Sequence, residues 1–237
     1  MTAPGILRSA AAEAIGTGFL TAGVVGSGIM GDRLSGGSPG LALLANTVAT
    51  AAALTVLILA LGPVCGAHFN PLVTADAAVA GRLRLRRAAA YVAAQFAGAA
   101  AGVLVAHAMF DLPLVQVSAT ARDGRPLIFS EAVAAFGLLL VIAGVSASRP
   151  AAIAPAVGLY IASAYWFTAS TSFANPAVTA ARALTDTFAG IRPSSVPGFL
   201  LGQCVGAVCA SAVARRLFPA PDHDDFSKGG PTPTRGA

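Results

Sequence analysis

The chain has 237 residues, of which 56% are hydrophobic and only 11% charged, with a mean hydropathy of +0.74, whereas ordinary soluble domains carry roughly 25% charged residues. This composition excludes a water-soluble globular domain and leaves a chain whose solvent is lipid. A formal charge of +5 and a pI near 9.7 do not signal a nucleic-acid partner, because the basic residues sit in loops beside apolar runs and read as topology signals.

Apolar runs of spanning length are predicted at roughly residues 8–30, 41–62, 88–109, 127–148, 151–169 and 195–218. The first follows Arg8 as a signal peptide would. It is long, carries Glu13 and has a counterpart later in the chain, so it reads as a retained helix. An Asn-Pro pair stands between the second and third runs, in Gly66-Ala67-His68-Phe69-Asn70-Pro71-Leu72, and again between the fifth and sixth, in Ser172-Phe173-Ala174-Asn175-Pro176-Ala177. Segments 70–80 and 176–188 begin at these pairs and are too short to cross, so they are predicted as half-helices. Asn as N-cap and Pro at the first helical position start a helix with unpaired N–H groups and a positive dipole end. Such an end is costly inside a membrane unless it lines a solute path, and two of them imply a pore. Residues 219–237, rich in Pro, Gly and Asp, have too little apolar content to fold and are expected to form a disordered cytoplasmic tail.

Arginines set the orientation. Arg82, Arg84, Arg86, Arg87, Arg149, Arg215 and Arg216 fall on one side of a six-span plan, which the positive-inside rule makes cytoplasmic together with both termini. Arg33, Arg122, Asp123 and Arg125 then lie in outer loops. An internal repeat relates halves of about 8–109 and 127–218: Glu13 matches Glu131, Asn70 matches Asn175, and Gln95 matches Gln203. Three spans per half is an odd number, so the second half inserts upside down and the two half-helices enter from opposite faces. Gly98-x-x-x-Gly102 and Gly202-x-x-x-Gly206 also correspond, at a spacing that lets helices cross closely. Carboxylates within apolar spans face the protein interior or water. Glu13 and Glu131 are expected to hold the loops that lead into the half-helices, a proton relay being the alternative, and His68 is expected to bond within its loop.

The paired Asn-Pro motifs, the Gly66-x-His68-Phe69-Asn70-Pro71 lead-in, the Glu13-x-Ile15-Gly16-Thr17 start and the Glu131 echo resemble the aquaporin and aquaglyceroporin (major intrinsic protein) family over about residues 8–218. The resemblance implies an all-α membrane protein with six transmembrane helices plus two re-entrant half-helices in an inverted repeat, residues 1–218 forming one channel domain. It further implies an integral, multi-pass protein of the inner or plasma membrane, in contact with lipid and assembled as a homotetramer. Each subunit would carry its own narrow pore for small neutral solutes. No enzymatic activity, cofactor or metal is expected. Asn70 and Asn175 would each offer an amide N–H to a passing solute, with carbonyls of residues 66–69 and 171–174 as acceptors.

Two positions depart from the family pattern. Leu72 follows the first Asn-Pro where Ala is usual, placing a larger apolar residue beside the constriction, and Val178 stands three after Asn175 where most members carry Arg. Losing that Arg removes five donors and a fixed charge, so the filter is expected to be wider and less cationic. Counting as the family does, its other positions are Thr50, Ser172 and, on span five, Ser163, or Tyr165 if the glycine pattern sets the register. Arg182, four after Val178, either lends charge to the outer vestibule, or pairs with Asp186 or snorkels to the headgroups. Cys65, Cys204 and Cys209 lack zinc-like spacing and read as membrane-buried thiols, Cys65 also as a candidate mercury-sensitive site. An Arg-less filter resembles the aquaglyceroporin-like proteins of soil bacteria associated with arsenic resistance operons, which implies passage of glycerol, arsenite as As(OH)3 and some water. The other readings are a water or glycerol channel without a metalloid role, a coupled secondary transporter using Glu13 and Glu131, and a closed scaffold plugged by Leu72.

Overall fold

The computed structural model describes residues 5–218, so the expected tail at 219–237 lies outside the described residues. Its helices are α1 (Ile6–Leu34), α2 (Pro39–Cys65), α3 (Pro71–Val79), α4 (Leu85–Met109), α5 (Arg125–Ser148), α6 (Ile153–Phe167), α7 (Pro176–Ala181) and α8 (Val196–Leu217), with no strand among the described residues. Among the described residues six helices are long and apolar enough to cross a membrane; α6 reaches spanning length only with the 3-10 turn Pro150–Ala152 that precedes it. Their outward faces are apolar, as Val48, Val56 and Leu59 on α2 and Val205 and Val208 on α8 show. The polar side chains Glu13, Gln95, Glu131 and Gln203 are instead fully buried. This is the arrangement that a lipid solvent selects.

Each half is three spans and a half-helix, with α1 packed on α4, α5 packed on α8, and α2 against α6 joining the halves. Glycines set the depth of the two matching contacts. A Cβ at Gly98 would strike Ala14 O and one at Gly206 would strike Ala132 O, each one residue past the buried Glu, so these glycines are equivalent. Gly102 instead meets Gly18 O, while Gly202 meets Ile128 O on the other side of its Glu. The two glycine pairs are therefore offset by one helical turn and do not correspond as the spacing suggests. The true register is carried by Gln95 and Gln203, which stand three residues before Gly98 and Gly206.

The half-helices α3 and α7 both lie between α4 and α8 and touch each other. Both start as their motifs require: the Asn70 side chain accepts from Leu72 N at 2.9 Å, and that of Asn175 from Ala177 N and Val178 N at 3.1 and 3.3 Å. Their far ends differ. α7 stops at Ala181, shorter than the predicted 176–188, and Arg182–Leu184 tighten into a 3-10 turn. The carbonyls that would continue it are taken by distant backbone, Arg182 O accepting from Ile191 N, Ala183 O from Ser118 N and Leu184 O from Gln116 N.

Candidate functional site

The loops entering the half-helices are built the same way twice. Ala67 and Phe69 in the first, and Ser172 and Ala174 in the second, have φ of 50°, 48°, 49° and 46°. Left-handed backbone at a non-glycine residue costs about 1–3 kcal/mol. Two carboxylates hold the loops in this shape. Glu13 accepts from His68 N at 2.9 Å and Phe69 N at 2.7 Å, and Glu131 accepts from Phe173 N and Ala174 N, both at 2.9 Å. A glutamine fixes each carboxylate. Gln95 Nε2 donates to Glu13 and Thr74 Oγ1, and Gln203 Nε2 to Glu131 and Thr179 Oγ1, at 2.6–2.9 Å. His68 Nδ1 lies 3.1 Å from Thr74 Oγ1, and its ring packs edge-on to Tyr91; at the equivalent place the Phe173 ring packs edge-on to Phe199.

The tips of the half-helices are bonded across the pseudo-two-fold. Asn70 Nδ2 donates to Ala174 O at 2.7 Å and Asn175 Nδ2 to Phe69 O at 2.8 Å. Each Oδ1 is committed to its own helix cap, and a carboxamide nitrogen carries two N–H groups, so one N–H per Asn remains for the cavity. That cavity, about 270 Å³, runs past both asparagines and is lined by Gly66, Ala67, His68 and Phe69 of one loop and by Ser172, Phe173 and Ala174 of the other. Asp76 and Arg82, paired at 2.6 Å, stand at its α3 mouth. Pro71, Leu72, Pro176 and Ala177 are buried but do not line it. They shape the helix starts, and Leu72 is buried behind the cavity wall rather than part of it.

At the α7 mouth the wall includes Thr50, Tyr165, Ser172 and Val178. Val178 is 4% exposed; Tyr165 Oη donates to Thr50 Oγ1 at 3.4 Å, and Ser172 Oγ is buried without a hydrogen-bond partner among the described residues. Ser163 is exposed on another face of α6, its hydroxyl turned back to Tyr160 O. Of the two candidates, the one that meets the cavity is therefore Tyr165, the glycine-pattern register, alongside Val157 and Ile161 of the same helix, because two residues along a helix turn a side chain well away from the first. Arg182 follows neither the Asp186 pairing nor the headgroup snorkelling. It is 4% exposed, lines the cavity, and stacks its guanidinium on Phe173 with Cζ 3.3 Å from the ring centroid. It makes no ion pair with Asp186, whose carboxylate accepts from Ala119 N. The chain pattern alone does not single out Phe173 or Arg122, whose Cζ lies 5.1 Å from the same ring. Comparing the repeats residue by residue, His68 against Phe173, is the signal that finds Phe173.

Cys65 is buried at the end of α2, with Sγ 3.3 Å from Ala67 N, and does not line the cavity; Cys204 and Cys209 are exposed on α8. No group of three or more His, Cys, Asp or Glu that could hold a metal ion occurs among the described residues. The loop beside the α7 mouth is fastened by Asp123, which accepts from the Ser195 hydroxyl and pairs with Arg192 at 2.6 Å. The Ser195 bond first, and Arg192 with it, holds this carboxyl below the usual aspartate range.

The family pattern described as Major intrinsic protein matches residues 1–151 and, a second time, residues 128–233. The chain is 55% identical over 214 residues, 90% of its own length and 91% of the relative's, to Aquaglyceroporin AqpS of Rhizobium meliloti (strain 1021). It is 28% identical over 240 residues, 90% of this chain and 99% of the relative, to Aquaporin Z of Brucella melitensis biotype 1. Among solved structures the fold resembles the aquaglyceroporin from Plasmodium falciparum, with a TM-score of 0.67 and 19% identity over 88% of this chain and 95% of that one.

Proposed function

We propose that this chain, which belongs to the major intrinsic protein family, is a wide-filter channel passing glycerol, As(OH)3 and related neutral hydroxides, with water as a lesser permeant. Membership itself makes it an integral, multi-pass membrane channel for small solutes and not an enzyme. The observation that carries the finer reading is the α7 mouth: Val178, three residues after Asn175, lines the same cavity as Thr50, Tyr165 and Ser172, which carry hydroxyls. A solute there exchanges water for hydroxyl contacts, then for the free N–H of Asn175 and of Asn70, with loop carbonyls as acceptors. The two positive dipole ends raise the energy of any cation between the asparagines. As(OH)3 presents three neutral hydroxyls to the same groups, and flux in either direction follows the gradient. Both termini lie in the cytoplasm by the arginine bias, placing the α7 mouth outside, and four subunits assemble with one pore each.

A glycerol channel without a metalloid role has one point in its favour, the aquaglyceroporin name of the 55% identical relative. Proteoliposomes separate the two by stopped-flow uptake of glycerol and of As(OH)3. Saturation-free uptake of both supports the wide-filter reading. Glycerol uptake without As(OH)3 reduces it to the narrower one.

A further inference from the structure

We propose that Arg182 is a specificity-determining residue of this channel, a guanidinium brought back to the α7 mouth from one turn beyond Val178. The inference rests on the conduit reading above and assigns the mouth its charge. Arg182 stands seven residues after Asn175, and its symmetry mate in the first half is Ala77. Side chains on a helix lean toward the N-terminal end, and this one follows α7 back until its guanidinium covers Phe173, the residue between Ser172 and Ala174. The charge therefore sits beside the Ser172 level of the wall and not at the far end of the half-helix.

The side chain is buried yet its charge is not neutralised by a carboxylate: no ion pair to Arg182 occurs among the described residues. Its Nε donates to Ala189 O, and neither terminal nitrogen has a hydrogen-bond partner among the described residues. An unpaired buried cation is costly unless something in the cavity supplies the missing bonds, and Arg182 lines that cavity. A second unmet group points the same way, because Ser172 Oγ, 2% exposed and also lining, has no partner. Together they offer fixed N–H donors and a hydroxyl acceptor to one hydroxylated, uncharged solute. Arg122 is the positioning residue. Its Nε donates to Gly190 O at 2.9 Å and its Nη2 to Phe188 O at 3.4 Å, so it holds the segment whose Ala189 O anchors Arg182, and it adds a second positive charge near the Phe173 ring.

The consequence is a filter that is wide in shape but still cationic. Arg182 strips water from polyols by offering N–H groups to their oxygens and repels protons, ammonium and metal cations. The test is Arg182→Gln in full-length channel, reconstituted in proteoliposomes, with glycerol uptake read by light scattering and proton leak by an internal pH dye under a potassium diffusion potential. Removing one uncompensated charge from a low-dielectric constriction is expected to raise proton leak about tenfold or more while glycerol uptake falls about threefold with the lost donors. A side chain that merely staples α7 to residue 189 gives a different result: loosening raises both fluxes and collapse lowers both. Fluxes that move together, or not at all, overturn the proposal. Arg182→Lys covers the case in which the Gln variant does not assemble. The Lys variant must keep leak at the native level and lower the glycerol-to-water ratio; a leak rise or an unchanged ratio overturns the proposal. Absence of glycerol uptake by the native protein instead defeats the conduit reading and is recognised as such.

Discussion

The α1–α4 half and the α5–α8 half use one scaffold and two different linings. Glu13, Gln95, Thr74, Tyr91 and Gly98 have counterparts in Glu131, Gln203, Thr179, Phe199 and Gly206, with matching bonds or contacts in both halves. The residues that touch the cavity are less faithful to the repeat. His68 has Phe173 as its counterpart, and Ala77 has Arg182. Position three after each Asn, by contrast, is Val in both halves, Val73 and Val178, and both line the cavity. Replacing the family's Arg by Val thus makes the second half more like the first, and the charge asymmetry passes to Arg182. The scaffold is what two insertions of one fold require, whereas the charged and polar lining differs between the halves.

The scaffold half of that comparison breaks most visibly if either carboxylate is removed. Glu13→Ala and Glu131→Ala each leave two loop N–H groups without acceptors, at about 1–3 kcal/mol per group, with left-handed residues no longer held. Both variants are expected to lose about 2–6 kcal/mol and nearly all flux, by thermal unfolding in detergent and by uptake assays. If one half tolerates the change, the two supports are not equivalent.

Next come the helix crossings. Gly98→Val and Gly206→Val force the same collision on α1 and α5, and each is expected to cost about 1–3 kcal/mol, seen as matched falls in melting temperature. Unequal falls would break the register assigned to these glycines.

Much of the frame is legible in the amino-acid order alone. Six apolar runs and two Asn-Pro starts fix the span plan, because lipid forbids other solutions, and Glu13 and Glu131 stand out as carboxylates where charge is costly. The rest depends on partners distant in sequence. Ser163 and Tyr165 cannot be separated by pattern along α6, a mainly apolar helix, until Thr50 on α2 shows which side meets the cavity. The early end of α7 depends on residues 116–118 taking its carbonyls. Arg182 has Asp186 one turn on, the usual partner spacing, yet a loop N–H claims that carboxylate and an aromatic ring claims the guanidinium.

A smaller effect sharpens the His68 and Phe173 contrast. His68→Phe removes the bond to Thr74 and copies the second-half residue into the first, at about 1 kcal/mol. Flux should change less than for any variant at the α7 mouth; a larger change would place selectivity at the α3 mouth instead.

The smallest effect is in the loop joining α4 to α5. The folded Asp123 carboxyl titrates below its unfolded value near 3.9, so its contribution is present above that pH and is lost as pH falls through the lower, folded value. Asp123→Asn should therefore leave the channel's stability little changed at low pH and slightly lower at neutral pH. Melting curves across pH 3–7 check the sign, and a deficit largest at the acidic end would contradict the assignment.

The most direct test of the wide filter is stopped-flow light scattering on proteoliposomes, comparing glycerol uptake with osmotic water flow for the native channel and for Val178→Arg. A guanidinium added to the wall between Ser172 and Arg182 should cut glycerol uptake about tenfold or more by narrowing the mouth and adding like charge, while water flow falls less. Equal uptake by the two channels, or water flow alone in the native protein, would contradict the claim that Val178 sets the width of the pore.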